Sequence, residues 1–157
     1  MEVWRLARTA VATDLTGRCA ALSGARWNHR THPALYFGLT PELCALETLM
    51  HSSEAPRLAL KLVCVRLPDD PTLYHETTEA QLPPGWDARP ADIVSMDFGT
   101  RWLKNRQHLG LIVPSPVMLQ ARLIVLNPVH PAAGRIEILT VSDFPHGQRE
   151  RFTRQRP

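Results

Sequence analysis

The sequence predicts an α+β domain on three observations. Short apolar runs of strand character recur along the chain, each cut off by proline or glycine. One segment carries a full set of start signals for an amphipathic helix. Strands and helices do not alternate regularly, which argues against a parallel sheet built from βαβ units. Fourteen prolines among 157 residues keep every element short.

Taken in order, Val3 to Ala7 reads as an opening strand, and Ala34 to Phe37, after Pro33, reads as a second that ends at Gly38. Thr40-Pro41-Glu42 then starts a helix: Thr40 suits the cap, Pro41 the first helical position and Glu42 the positive end of the dipole. This helix is predicted to reach about His51, with Leu43, Leu46, Leu49 and Met50 as its buried stripe and Glu47 at the margin. Leu58 to Leu67 is a Leu/Val-rich strand. Pro68 to Pro90, rich in Pro, Asp and Thr, reads as loop. Ile93 to Lys104 fits a helix despite Gly99. Leu109 to Val113, Leu123 to Leu126 and Ile136 to Val141 complete a strand-rich second half.

A hydrophobic fraction of 44% and a charged fraction of 21% suit one domain with a genuine core and no metal or disulfide staples. Cys19, Cys44 and Cys64 form no CxxC pair, and the last two sit in apolar stretches, as buried free thiols of a reducing compartment would. The net charge of +3 suggests a nucleic-acid binder until the charges are placed. Phe144 to Pro157 carries Arg149, Arg151, Arg154 and Arg156 against Glu150, which leaves 14 bases and 14 acids in the rest of the chain. The reading is a neutral body over residues 1–143 and a basic tail over residues 144–157, with direct nucleic-acid binding not expected. Charges in Met1-Glu-Val-Trp-Arg-Leu-Ala-Arg8 do not suit a signal peptide, and Leu109 to Ala121 is too short and proline-broken to span a bilayer. A cytoplasmic protein without membrane partners is expected.

No Walker loop, GxGxxG, HExxH, GxSxG or paired CxxC occurs, and the seven histidines lack metal-ligand spacing, so no metal is expected. Four residues stand out instead. Glu47, at the edge of an apolar helical face, is a carboxylate placed by a helix rather than by a loop, although periodicity alone favours a surface ion pair. Arg26, in Gly24-Ala25-Arg26-Trp27-Asn28, offers a planar fork for a phosphate, or stacks on Trp27. Arg5, between Trp4 and Leu6, is a charge among apolar neighbours that requires a partner, either a ligand phosphate or an acid across the sheet. Tyr36 alternates away from Leu35 and Phe37, and its ring suits either a flat heterocycle or the core. Ser115, between two prolines, and Asn127, in Asn127-Pro128-Val129-His130-Pro131, read first as turn residues.

These segments in this order resemble the RES domain, the toxin half of the Xre–RES toxin–antitoxin modules, a family named for an arginine, a glutamate and a serine. The matching features are Trp4-Arg5-Leu6, Gly24-Ala25-Arg26-Trp27-Asn28, Ala34-Leu35-Tyr36, Ala45-Leu46-Glu47-Thr48-Leu49-Met50-His51, Val113-Pro114-Ser115 and Leu126-Asn127-Pro128-Val129-His130-Pro131. They extend from Trp4 to about Val141. The resemblance implies an ADP-ribosyltransferase-like fold, a split mixed β core flanked by helices, with NAD as substrate. It implies catalytic roles for Glu47, Arg26 and Tyr36, and NAD-binding roles for Arg5, Arg26, Tyr36, Ser115 and Asn127. It also implies a cognate Xre-type antitoxin as partner.

Cleavage of the nicotinamide–ribose bond is the chemistry expected on these grounds, with water, phosphate or a protein side chain as acceptor. Depletion of NAD is the preferred outcome, and ADP-ribosylation of a target protein the alternative. A ribonuclease toxin is a further alternative, drawn from the basic tail; the neutral body argues against it.

Overall fold

The computed structural model describes residues 1–51 and 59–144; the side chains of Leu49 and His51, and the basic tail, lie outside what is described. Among the described residues seven strands form one sheet: β1 (Glu2–Arg8), β2 (Leu35–Gly38), β3 (Leu60–Arg66), β4 (Tyr74–Glu76), β5 (Gly110–Pro114), β6 (Arg122–Leu126) and β7 (Glu137–Phe144). Their order is β4-β5-β6-β2-β1-β3-β7. All neighbours are antiparallel except β4 and β5, which makes the sheet mixed. Three helices accompany it: α1 (Arg18–Ser23), α2 (Pro41–His51) and α3 (Ile93–Asn105).

The α+β class is thus observed, and its split is a matter of register. β1 runs beside β3 from Glu2 opposite Arg66 to Arg8 opposite Leu60, and β2 beside β6 from Leu35 opposite Leu126 to Gly38 opposite Leu123. Between these two halves, β1 and β2 register only at Trp4 opposite Gly38. Beyond that pair the strands part, and Arg5 and Leu6 on one side face Tyr36 and Phe37 on the other across a gap.

Alternation divides the core over the two faces of the sheet. Val3, Leu35, Phe37, Val63, Val65, Ile124 and Leu126 form one cluster. Trp27, Trp86, Leu103, Leu111, Val113 and Val125 form the other, with Tyr36, Phe98, Trp102 and Leu123 against it. On α2 the cap is as expected, the Leu43 N–H donating to Thr40 Oγ1 at 3.2 Å. The stripe differs. Leu43 and Cys44 are buried, Leu46 is half-buried, and Met50 is 54% exposed. The helix packs against β1 and β2, the two strands of the parting, and Met50 lies at the cavity between them.

Two elements were not anticipated. The stretch Pro68 to Pro90 contains β4, which pairs with β5 through Tyr74 opposite Gly110. Three residues are too few for a periodic signal. α1 is a six-residue helix that starts after Gly17 without a side-chain cap. Conversely, Gly99 does not weaken α3 but permits its position: a Cβ there would lie 2.1 Å from the Trp27 carbonyl oxygen. The glycine lets the helix rest directly on the Trp27 backbone.

The three cysteines are free, with Cys44 and Cys64 buried and Cys19 exposed. Burial pushes the Cys44 thiol from 9.0 up to about 11, and burial likewise raises the Tyr36 phenol.

Two outcomes follow from this packing. Gly99→Ala is expected to destabilise the fold by about 3 kcal/mol in chemical denaturation, because backbone rather than a flexible side chain occupies the space. A loss under about 0.5 kcal/mol would contradict the close contact. The raised thiol and phenol bind their protons more tightly when folded, so their contribution is complete below pH 9 and declines as pH rises toward 11. Unfolding free energy should therefore fall over that window, with a shallower fall in Cys44→Ala; a flat profile would remove the thiol from the account.

Candidate active site

The gap between β1 and β2 opens into a cavity of about 610 Å³. β1 contributes Arg5 and Leu6, β2 contributes Tyr36 and Phe37, and α2 contributes Cys44, Glu47, Thr48 and Met50. Arg26 and Trp27 enter from the loop after α1, Arg89 and Pro90 from the loop before α3, and Pro116 and Val117 from the β5–β6 turn. Side chains of both sheet faces reach this space because the strands have separated. Arg5 and Phe37 come from one face, Tyr36 and Leu123 from the other.

Arg26 owes its place to a tight turn. Gly24 takes a φ of +71°, and the Ala25 and Asn28 backbones then bond to each other in both directions, at 3.0 and 3.2 Å. Arg26 and Trp27 form the tip. Asn28 is fully buried, its amide nitrogen within 2.9–3.1 Å of the carbonyls of Ala20, His29 and His32. The Tyr36 hydroxyl donates to Asn28 Oδ1 at 2.6 Å and accepts the Trp27 N–H at 3.1 Å. Tyr36 thereby locks the turn that carries Arg26. Burial keeps its phenol protonated, so what it offers a ligand is its ring face.

The Arg26 guanidinium does not stack on Trp27, which pairs instead with Trp86 at 5.9 Å between ring centroids. Its Nη1 donates to the carbonyls of Trp86 and Ala88 at 2.8 and 2.9 Å, which ties the loop before α3 over the cavity. Burial lowers its proton affinity and nearby Arg89 lowers it further, while Glu47 and Asp87 oppose the change. Among the described residues Arg5 finds neither an acid across the sheet nor a simple ion pair. Its Nη2 donates to the carbonyls of Val11, Ala12 and Asp14, at 3.3, 2.8 and 2.6 Å. Its guanidinium carbon lies 5.3 Å from the Phe37 ring centre, and its Nε is buried without a hydrogen-bond partner. Burial depresses its proton affinity too, with Asp14 opposing.

Glu47 is placed by α2 and by a second contact. Ser115, fully buried, donates from Oγ to Glu47 Oε1 at 2.5 Å. The same oxygen accepts the N–H groups of Val117 and Met118, each at 3.1 Å. Ser115 is therefore a turn residue and a support for the carboxylate at once, although it does not itself line the cavity.

Arg5, Arg26, Tyr36 and Glu47 thus meet around one space, and Ser115 reaches it through Glu47. Asn127 does not. It is fully buried, its amide donates to the Leu103 carbonyl at 2.8 Å, and its Oδ1 accepts the Val129 N–H at 3.2 Å. It ties α3 to the turn after β6. Sequence reasoning missed four members of the site region. Cys44 lies one turn before both Glu47 and Thr48, so helical spacing sets its side chain beside each of them. Asn28 lay within the quoted Arg26 segment without a role, and nothing local marks Arg89. Among the described residues no group of three or more His, Cys, Asp or Glu is placed to hold a metal ion, and no helix is long and apolar enough to cross a membrane.

Comparison with known proteins identifies relatives of the chain. The chain is 37% identical over 139 residues to the Prs ADP-ribosylating toxin of Sphingobium sp. (strain YBL2), covering 85% of this chain and 86% of that protein. It is 33% identical over 132 residues to the Toxin Res of Yersinia enterocolitica, covering 83% and 86%. Its fold matches a chain in the crystal structure of the M. tuberculosis MbcT–MbcA toxin–antitoxin complex, with a TM-score of 0.77 at 17% identity, over 96% of this chain and 87% of that one. The RES domain matches residues 2–154. The chain belongs to the RES domain family.

Proposed function

We propose that this protein is the toxin of a type II toxin–antitoxin system that cleaves the nicotinamide–ribose bond of NAD in the cytoplasm, depleting NAD and arresting growth. The observation that carries the reading is the convergence of Arg26, Tyr36 and Glu47 on one cavity. Its volume falls among those of small-molecule sites, its apolar walls suit flat rings, and its cations suit a diphosphate. The toxin names of its relatives support the reading. The toxin–antitoxin complex of its structural neighbour supports a protein antitoxin as partner, which we take to be of Xre type.

Cleavage moves the C1′–N1 bonding pair onto the nicotinamide ring, which departs neutral and needs no proton. Positive charge builds on the ribose, and the acceptor then bonds to C1′. The task of the protein is electrostatic and positional. Glu47 supplies the negative charge opposite the sugar, as glycosidase carboxylates do. The α2 backbone and Ser115 hold it in place, so little reorganisation accompanies charge development. Arg26 grips the diphosphate with the part of its fork that Trp86 and Ala88 leave open. Arg5 stiffens the cavity wall through the carbonyls of the 11–14 turn and adds positive potential. Tyr36 presents its ring to the nicotinamide and the forming cation.

The second reading, transfer of ADP-ribose to a protein, is favoured by the name of the Sphingobium relative. Only the acceptor differs: water or phosphate in the first reading, a nucleophilic side chain in the second. Purified protein with doubly labelled NAD, with and without phosphate, separates them. Nicotinamide release with a soluble ADP-ribose product supports NAD breakdown. Adenylate label retained on a protein from a cell extract supports transfer. No nicotinamide release with any of these acceptors overturns both.

Glu47→Gln should reduce the turnover number by about 3–4 kcal/mol of transition-state stabilisation without changing the thermal midpoint by more than a few degrees. Near-normal turnover in that variant would remove Glu47 from the mechanism. Ser115→Ala acts through Glu47, so kcat is expected to drop about tenfold or more while KM stays within about threefold. A change confined to KM would assign Ser115 to substrate binding instead.

A further inference from the structure

Arg89 enters the cavity from a loop that carries no recognisable motif. Three arginines, Arg5, Arg26 and Arg89, line the cavity, and Glu47 is the acid among its lining residues. Arg5 is the most committed of the three, with Nη2 on three carbonyls and its guanidinium over Phe37. Arg26 and Arg89 are differently placed. The carbonyls of Trp86 and Ala88 hold the Arg26 guanidinium, and Arg89 is the next residue of that same loop. The two cations are near enough that Arg89 depresses the proton affinity of Arg26.

Like charges fixed side by side at an apolar cavity repel, and an anion between them relieves the repulsion. Arg89 has the donors for this. Its Nη2 donates to the Pro116 carbonyl, and the rest of its fork has no hydrogen-bond partner among the described residues. The Pro116 contact also fixes its location. It attaches Arg89 to the turn in which Ser115 holds Glu47, so cation and carboxylate share one support.

We infer that Arg89 is a diphosphate-binding residue that forms, together with Arg26, the cradle for the pyrophosphate of the substrate. The inference rests on the NAD reading for the identity of that substrate; the diphosphate chemistry rests on the paired guanidinium groups.

The test compares the intact protein with Arg89→Gln and Arg89→Lys. The readouts are KM and kcat for NAD by nicotinamide release, and calorimetric titration with inorganic pyrophosphate. Arg89→Gln is expected to raise KM and the pyrophosphate Kd about tenfold each, the effect of one charge-assisted contact, with kcat within twofold. Arg89→Lys should recover part of the loss, since it keeps the charge but not the fork. Unchanged KM and Kd in Arg89→Gln would overturn the inference and leave the NAD reading intact. A fall in kcat together with a lower melting temperature would overturn it as well, since Arg89 would then act as a tether for the Pro116 turn. Arg89-dependent pyrophosphate binding by a protein that releases no nicotinamide would uphold the cradle and sink the NAD reading. A wild-type protein that neither binds pyrophosphate nor processes NAD would overturn both.

Discussion

Adjacent strands in a sheet normally satisfy each other's backbone groups along their whole length. Here β1 and β2 register at Trp4 and Gly38 and then separate, and the molecule is organised around that parting. A guanidinium, a phenol and an aromatic ring face the opening from the two strands, and a carboxylate descends from the helix that follows β2. A fully paired sheet would fill this space with backbone hydrogen bonds. The cavity exists because the sheet is split.

Opening a sheet leaves polar groups in a region of low dielectric, where each requires a partner. The 11–14 turn supplies three carbonyls to Arg5, and the loop before α3 supplies two to Arg26. Tyr36 and Asn28 satisfy each other, and Ser115 supports Glu47. The hydrogen bonds of the two deeper arginines go to neutral backbone carbonyls rather than to carboxylates, and both guanidinium groups line the same space. A site built this way is electropositive before any ligand arrives.

The same contacts separate groups that act from groups that position. Asn28 and Asn127 are both fully buried amides, each in one of the segments that carry the family resemblance. The first locks the turn that presents Arg26, and the second joins α3 to the turn after β6. Neither lines the cavity. A polar residue in a distinctive segment is therefore as readily a fastener as a ligand contact, and only its partners distinguish the two.

By itself the sequence determined the local features. The Thr40 cap and Pro41 set the start of α2, and alternation set Tyr36 opposite Leu35 and Phe37. The ordered segments from Trp4 to Val141 identified the family resemblance and its Arg, Tyr and Glu. These were legible because capping, periodicity and motif order act over a few residues. Tertiary structure alone decided the rest. β4 exists only by pairing with a strand more than thirty residues away, and Met50 is exposed at the open cavity rather than buried in the core. The contact between Ser115 and Glu47 joins residues 68 positions apart. Arg89 has no local pattern at all. Its place depends on a loop that Arg26 and Pro116 hold from two sides, and partners so distant in sequence leave no periodic signal around the residue they fix.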